Sequence, residues 1–222
     1  MSYEHSVFYI NAKKSTASEE LAHLLEKCIE KIEHPWKEIV FVCIGSDRIN
    51  GDSLGPFIGH QLERFHWDSV YVYGTLHAPI HALNLEDSIR KLKDRHPSAI
   101  FIAVDASLGA KKHIGFITVG MGPICPGAGV NKDLLPVGDI FITGILNESG
   151  CFEHLLLQTT RLSFVVEMAE TITNAISQVF SKNMTNHKIL PQIWTFPEEE
   201  QEDVFYDAYA ALSIESSSGE IS

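Results

Sequence analysis

No stretch of this chain approaches the roughly 18 consecutive apolar residues of a membrane-spanning helix, so no such span is expected. Cationic residues are scarce: 17 lysines and arginines stand against 29 acids, for a net charge of -12. Phosphates would be repelled, so neither direct nucleic-acid contact nor an anionic membrane is expected. Cysteine is sparse too. Cys28, Cys43, Cys125 and Cys151 are scattered without a C-x-x-C pair, the pattern of free thiols in a reducing compartment. The opening residues MSYEHSVFYINAKKS lack the charged-then-apolar layout of an export signal, and a cytoplasmic location is expected. What is present is globular: 45% hydrophobic and 21% charged residues in 222, enough for one good core.

Apolar patterning predicts a helix over residues 16–33, where Leu21, Leu24, Leu25, Cys28, Ile29 and Ile32 fall at helical intervals. A Ser or Thr is available to cap it. Short apolar, β-branched runs predict strands over 39–44, 70–73, 100–104, 115–119 and 140–146. Helices are expected over 54–65, 83–95 and 160–180. Such alternation, with strands apolar throughout, indicates an α/β domain whose mostly parallel sheet is covered on both faces. The domain is expected to span residues 1–183. Residues 184–222, acidic and serine-rich, read as a solvated tail with a short helix around 204–212.

The stretch VCIGSDRINGDSLGP (residues 42–56) turns from the first covered strand into a helix. A phosphate cradle would carry G-x-x-x-x-G-K-[ST] there, but Asp52 occupies the lysine position, and G-x-G-x-x-G is absent as well. An acid in that place repels phosphate. In open α/β sheets the ligand crevice lies beyond the carboxyl ends of the strands. Asp52 lies there, and Asp105 ends the predicted strand in FIAVDASLG. If strands 39–44 and 100–104 are parallel neighbours, the two carboxylates share one crevice. Taken singly, Asp52 reads as a helix cap and Asp105 as a turn former. Finding both at strand ends beside glycines favours a carboxylate pair.

GSDRINGDSLGP, AVDASLG and PGAGVNKDLLPVGDI, in that order, resemble the germination proteases of bacterial spores and their shorter YyaC-type sporulation relatives. YGTLHAPIHALNL and LLLQTTRLSFVVEMA resemble further YyaC-type segments, and the likeness covers about residues 37–182. It implies a three-layer α/β/α fold, phosphorylase/hydrolase-like and germination protease-like. The activity it implies is that of an atypical aspartic peptidase acting on small acid-soluble spore proteins, with Asp52 and Asp105 as its catalytic acids. The fold is also similar to that of the hydrogenase maturation proteases, where two acids and a histidine bind nickel. Here Cys125 stands where the germination proteases carry a histidine, and no histidine lies between His113 and His154. The third metal ligand has no match, so neither a metal nor another cofactor is expected.

Two crowded carboxylates cannot both ionise comfortably, so one keeps a proton and the other can activate water. Asp52, near a helix N-terminus, is the better candidate for the ionised member. The loop PICPGAGVNKD (residues 123–133) could supply backbone N–H groups to an oxyanion, with Asn131 or Lys132 assisting. Arg48 could hold a substrate carboxylate, and His81, a hydrogen-bonding loop histidine, completes the expected substrate-binding set. His77 and His81 are four apart, but Pro79 between them argues against a helical metal pair. Cys125 has no neighbouring histidine in sequence to activate it as a nucleophile. The partner expected is a protein or peptide substrate in the sporulating cell or spore, with homo-oligomerisation left open. Two alternatives stand beside the peptidase: a non-catalytic sporulation protein that uses the fold as a binding module, and a metal-sensing endopeptidase of the hydrogenase-maturation type.

Overall fold

The computed structural model describes residues 7–126, 134–150 and 152–181. The expected tail over 184–222, with its short helix, lies outside them. In chain order the elements are β1 (Val7–Asn11), α1 (Ala17–Glu30), β2 (Glu38–Cys43), α2 (Leu54–Leu62), β3 (Val70–Tyr73) and α3 (Leu85–Arg95). There follow β4 (Ala99–Gly109), β5 (Phe116–Met121), β6 (Ile140–Glu148), α4 (Glu153–Thr159) and α5 (Leu162–Ser181). Short 3-10 turns at Asn50–Ser53 and Lys111–His113 lead into α2 and β5.

The strands form one six-stranded sheet in the order β1-β5-β6-β4-β2-β3. β3, β2, β4 and β6 run parallel, while β5 and β1 close one side antiparallel. The strand pair on which the acidic crevice depends, β2 beside β4 in parallel, is therefore present. Each strand divides its apolar residues between two layers because successive side chains point to opposite faces. Phe41, Cys43, Ile100, Ile102 and Val104 pack with residues of α1, α2 and α5 in one core. Val40, Val42, Phe101 and Ala103 pack with Leu85, Ile89 and Leu92 of α3 in the other. Helices thus cover both faces in an α/β arrangement. Full burial of a side chain such as Phe41 or Leu54 contributes about 1.5–3 kcal/mol.

Three expectations need correction. β4 does not stop before Asp105 but continues to Gly109, because its pairing with β6 persists through an irregularity between Ser107 and Leu108. Strand β1 and helix α4 are present without having been expected. β1 is an edge strand that buries only Ile10, and α4 has seven residues, so neither leaves a long apolar period. Thr16 does take the cap position of α1, but its hydroxyl donates to the Glu20 carboxylate at 2.7 Å and accepts no backbone N–H of the first turn.

Candidate active site

The loop after β2 is tied at both ends. Ile44 bridges to Ile80, and the Gly45 N–H donates to the Ile80 carbonyl at 2.8 Å. Gly45 has φ of +138°, and a side chain there would collide with the carbonyl of Asp52. That same carbonyl accepts from Ser46 N–H at 3.1 Å, so residues 46–52 close into a compact turn. Helix α4 lies against it: a Cβ on Gly51 would come within 2.8 Å of the Leu157 carbonyl oxygen. Side-chain amides lock the packing. Asn50 Nδ2 donates to the Thr160 carbonyl at 3.2 Å, and Asn147 Nδ2 to the Leu156 carbonyl at 3.1 Å.

Asp52 stands half-buried in the 3-10 turn ahead of α2. Ser53, not Asp52, occupies the cap position of that helix, and its hydroxyl turns back to the Asn50 carbonyl at 2.6 Å. Cys43 and Val104 are the last pair between β2 and β4, so Asp105 is the first residue of β4 beyond its neighbour's end. It is 6% exposed. Burial pushes its carboxyl well above the ordinary carboxylate range, and the charge of Asp52 pushes the same way. A hydrogen bond from Ala106 N–H to Asp105 Oδ1, 2.7 Å long, opposes both. A buried carboxyl pushed up by desolvation and by a second acid is an arrangement that general acid–base chemistry can use.

The remaining expected residues divide. Arg48 and Asp47, both exposed, lie close enough to His81 to affect its titration. Burial lowers the pKa of His81 and Arg48 adds to that, while its backbone hydrogen bonding and Asp47 oppose it. Its Nδ1 accepts from Leu83 N–H at 3.3 Å. The loop from Gly74 to Asn84 therefore brings His81 to the turn that carries Asp52. His77 instead meets the ring of His60 edge-on, with centroids 5.4 Å apart. Cys125 is exposed after β5, whereas Asn131 and Lys132 lie outside the described residues. Among the described residues no three His, Cys, Asp or Glu side chains gather as a metal-binding group.

Sequence reasoning missed a line of hydroxyls beside Asp105. Asp105 pairs in register with Thr143 of β6, which pairs with Thr118 of β5. Thr143 Oγ1 lies 2.7 Å from Thr118 Oγ1 and 3.0 Å from Ser107 Oγ. The signal available was weak: F-I-T occurs in both FITVG and FITGI, placing one hydroxyl at the same point of two apolar strands.

A covered α/β sheet with a buried acid at the end of its first parallel strand pair defines the class to which the site belongs. Residues 9–175 match the family described as "Protein of unknown function (DUF1256)", and the chain belongs to it. It is similar to the protein titled "Uncharacterized protein YyaC" of Bacillus subtilis (strain 168), with 43% identity over 169 residues, 76% of this chain and 82% of that relative. Among solved structures it is similar to the [NiFe] hydrogenase maturation protease HycI from Thermococcus kodakarensis KOD1. There the identity is 18% and the TM-score 0.47, over 71% of this chain and 99% of that one.

Proposed function

We propose that this chain is a sporulation-associated peptidase of the germination-protease type, hydrolysing peptide bonds with Asp52 and Asp105. The observation that carries the reading is the asymmetry of the two acids. Asp105 is buried, and burial together with the charge of Asp52 pushes its carboxyl toward the protonated form; Asp52 is half-buried in a turn leading into a helix. Ionised Asp52 takes a proton from water as the water oxygen bonds to the peptide carbonyl carbon. The carbonyl π pair moves onto its oxygen, which the protonated Asp105 carboxyl stabilises by donating a hydrogen bond. When the tetrahedral species collapses, the C=O re-forms, the C–N bond breaks, and the proton on Asp52 passes to the departing amine.

Arg48 and His81, near enough for the charge of one to act on the other, are the groups we assign to holding the peptide, with Asn131 and Lys132 assisting. The net charge of -12 suits a basic peptide, and small basic or acid-soluble spore proteins, met in the cytoplasm of the sporulating cell or spore, are the substrates we assign. Among the described residues no helix is long and apolar enough to cross a membrane.

Incubation of the protein with a quenched-fluorescence library of lysine- and arginine-rich decapeptides tests this. Cleavage by the wild type that disappears in Asp52→Asn and in Asp105→Asn is the expected result. A fully active Asp52→Asn protein would end the aspartate-pair reading.

A further inference from the structure

Ser107, Thr143 and Thr118 form a chain of hydroxyls across β4, β6 and β5, on the sheet face that carries Asp105. One step back along that face are Ala103 and Phe141, and one step further Phe101, all buried and apolar. Packing there does not call for hydroxyls, since valine fills the volume of threonine.

Counting protons gives the chain a direction. Three hydroxyls carry three protons, and the two links use two of them, leaving one to be donated elsewhere. Thr118 is 6% exposed and Thr143 8% exposed, and neither hydroxyl has a further partner among the described residues. A spare proton on either would find no acceptor among the described residues, which buried donors seldom do. The arrangement Thr118→Thr143→Ser107 satisfies both threonines and leaves the spare proton on half-buried Ser107, the outermost member.

Ser107 follows Asp105 by two residues on the same face. At about 3.3 Å per strand residue the two side chains are rooted about 6.6 Å apart, room for one oxygen that hydrogen-bonds to both. We propose that Ser107 is a third catalytic residue, donating its hydroxyl to the carbonyl oxygen of the scissile peptide opposite the Asp105 carboxyl. Thr143 and Thr118 are positioning residues that hold that hydroxyl in its donating orientation. The proposal rests on the aspartate-pair reading and adds to it a side-chain oxyanion site inside the sheet. The bond strengthens as charge develops on the oxygen, so it lowers the barrier without tightening substrate binding.

Two measurements test it. In the decapeptide assay Ser107→Ala should lower kcat about 10²–10³-fold, the usual loss for one oxyanion donor, with KM little changed. Thr118→Val should lower kcat by less, and Thr118→Ser, which keeps the hydroxyl, should restore it. Neutron diffraction from crystals exchanged into D2O should show the deuterons directed from Thr118 to Thr143 to Ser107. Deuterons running the opposite way overturn the proposal, whatever the activity. A Ser107→Ala protein with wild-type kcat overturns it while the aspartate pair stands. A wild type that cleaves no peptide overturns both readings.

Discussion

Cys43 and Val104 make the last contact between β2 and β4, and Asp105 enters the structure one residue beyond it. Asp105 is buried there, and the charge of Asp52, in the turn before α2, pushes its carboxyl up further. A raised folded pKa gives the pH dependence of stability a definite sign. Above the ordinary carboxylate value of 3.8 the unfolded chain releases this proton while the folded chain keeps it. The unfolded state then binds fewer protons, and the contribution of Asp105 to stability falls as pH rises, from 3.8 up to the raised folded value. Asp105→Asn removes that slope. Thermal melts should show the two proteins close together near pH 3.5 and the variant increasingly the more stable toward neutrality.

Asp52→Asn removes a charge and keeps the shape of the side chain, exchanging one acceptor oxygen for a donating amide. Peptidase activity should disappear, because the amide cannot take a proton from water. Stability should be unchanged or slightly raised as the repulsion on Asp105 ends. The variant should also bring the Asp105 carboxyl down toward its ordinary range, followed by carbon-13 NMR titration of labelled aspartate. An unshifted Asp105 resonance would show that the two acids do not sense each other.

Gly51 provides a test of how firmly α4 holds the turn bearing Asp52. A methyl group there meets the Leu157 backbone and side chain at about 2.8–2.9 Å, so the helix must move off the turn. Gly51→Ala should cost about 1–3 kcal/mol, the usual range for overpacking, and should lower activity more than Leu157→Ala does. Urea denaturation beside the cleavage assay checks both outcomes.

Away from the site, His96 is buried between two partners: Nδ1 lies 2.8 Å from Glu38 Oε2, and Nε2 lies 2.8 Å from the Tyr73 hydroxyl. This triad ties the end of α3 to β2 and β3. Glu38→Ala leaves a buried ring nitrogen without its carboxylate and should cost about 1–3 kcal/mol. Tyr73→Phe should cost about 0.5–1.5 kcal/mol. Neither should change kcat in the decapeptide assay. A large kcat effect would place this triad in the reaction.

The apolar runs of β2, β3, β4 and β6 and the helical periods of α1 and α5 are legible in the sequence because strand and helix repeats are local. So is the acid at position 52, standing where a phosphate cradle would place a lysine. Shorter elements were not legible: α4 has too few turns to show a period, and β1, as an edge strand, buries too little to show an alternation. Beyond the parallel neighbourhood of β2 and β4, order and register lay outside the sequence. Only the insertion of β6 between β4 and β5 sets Thr143 against residues 36 and 25 positions away, Ser107 and Thr118. Likewise the run past the end of β2, which buries Asp105 instead of exposing it in a turn, depends on pairing with β6. Local periodicity states which face of a strand is apolar. Which strand lies beside it, and so which polar groups meet at the end of the sheet, is decided by contacts between residues far apart in the chain.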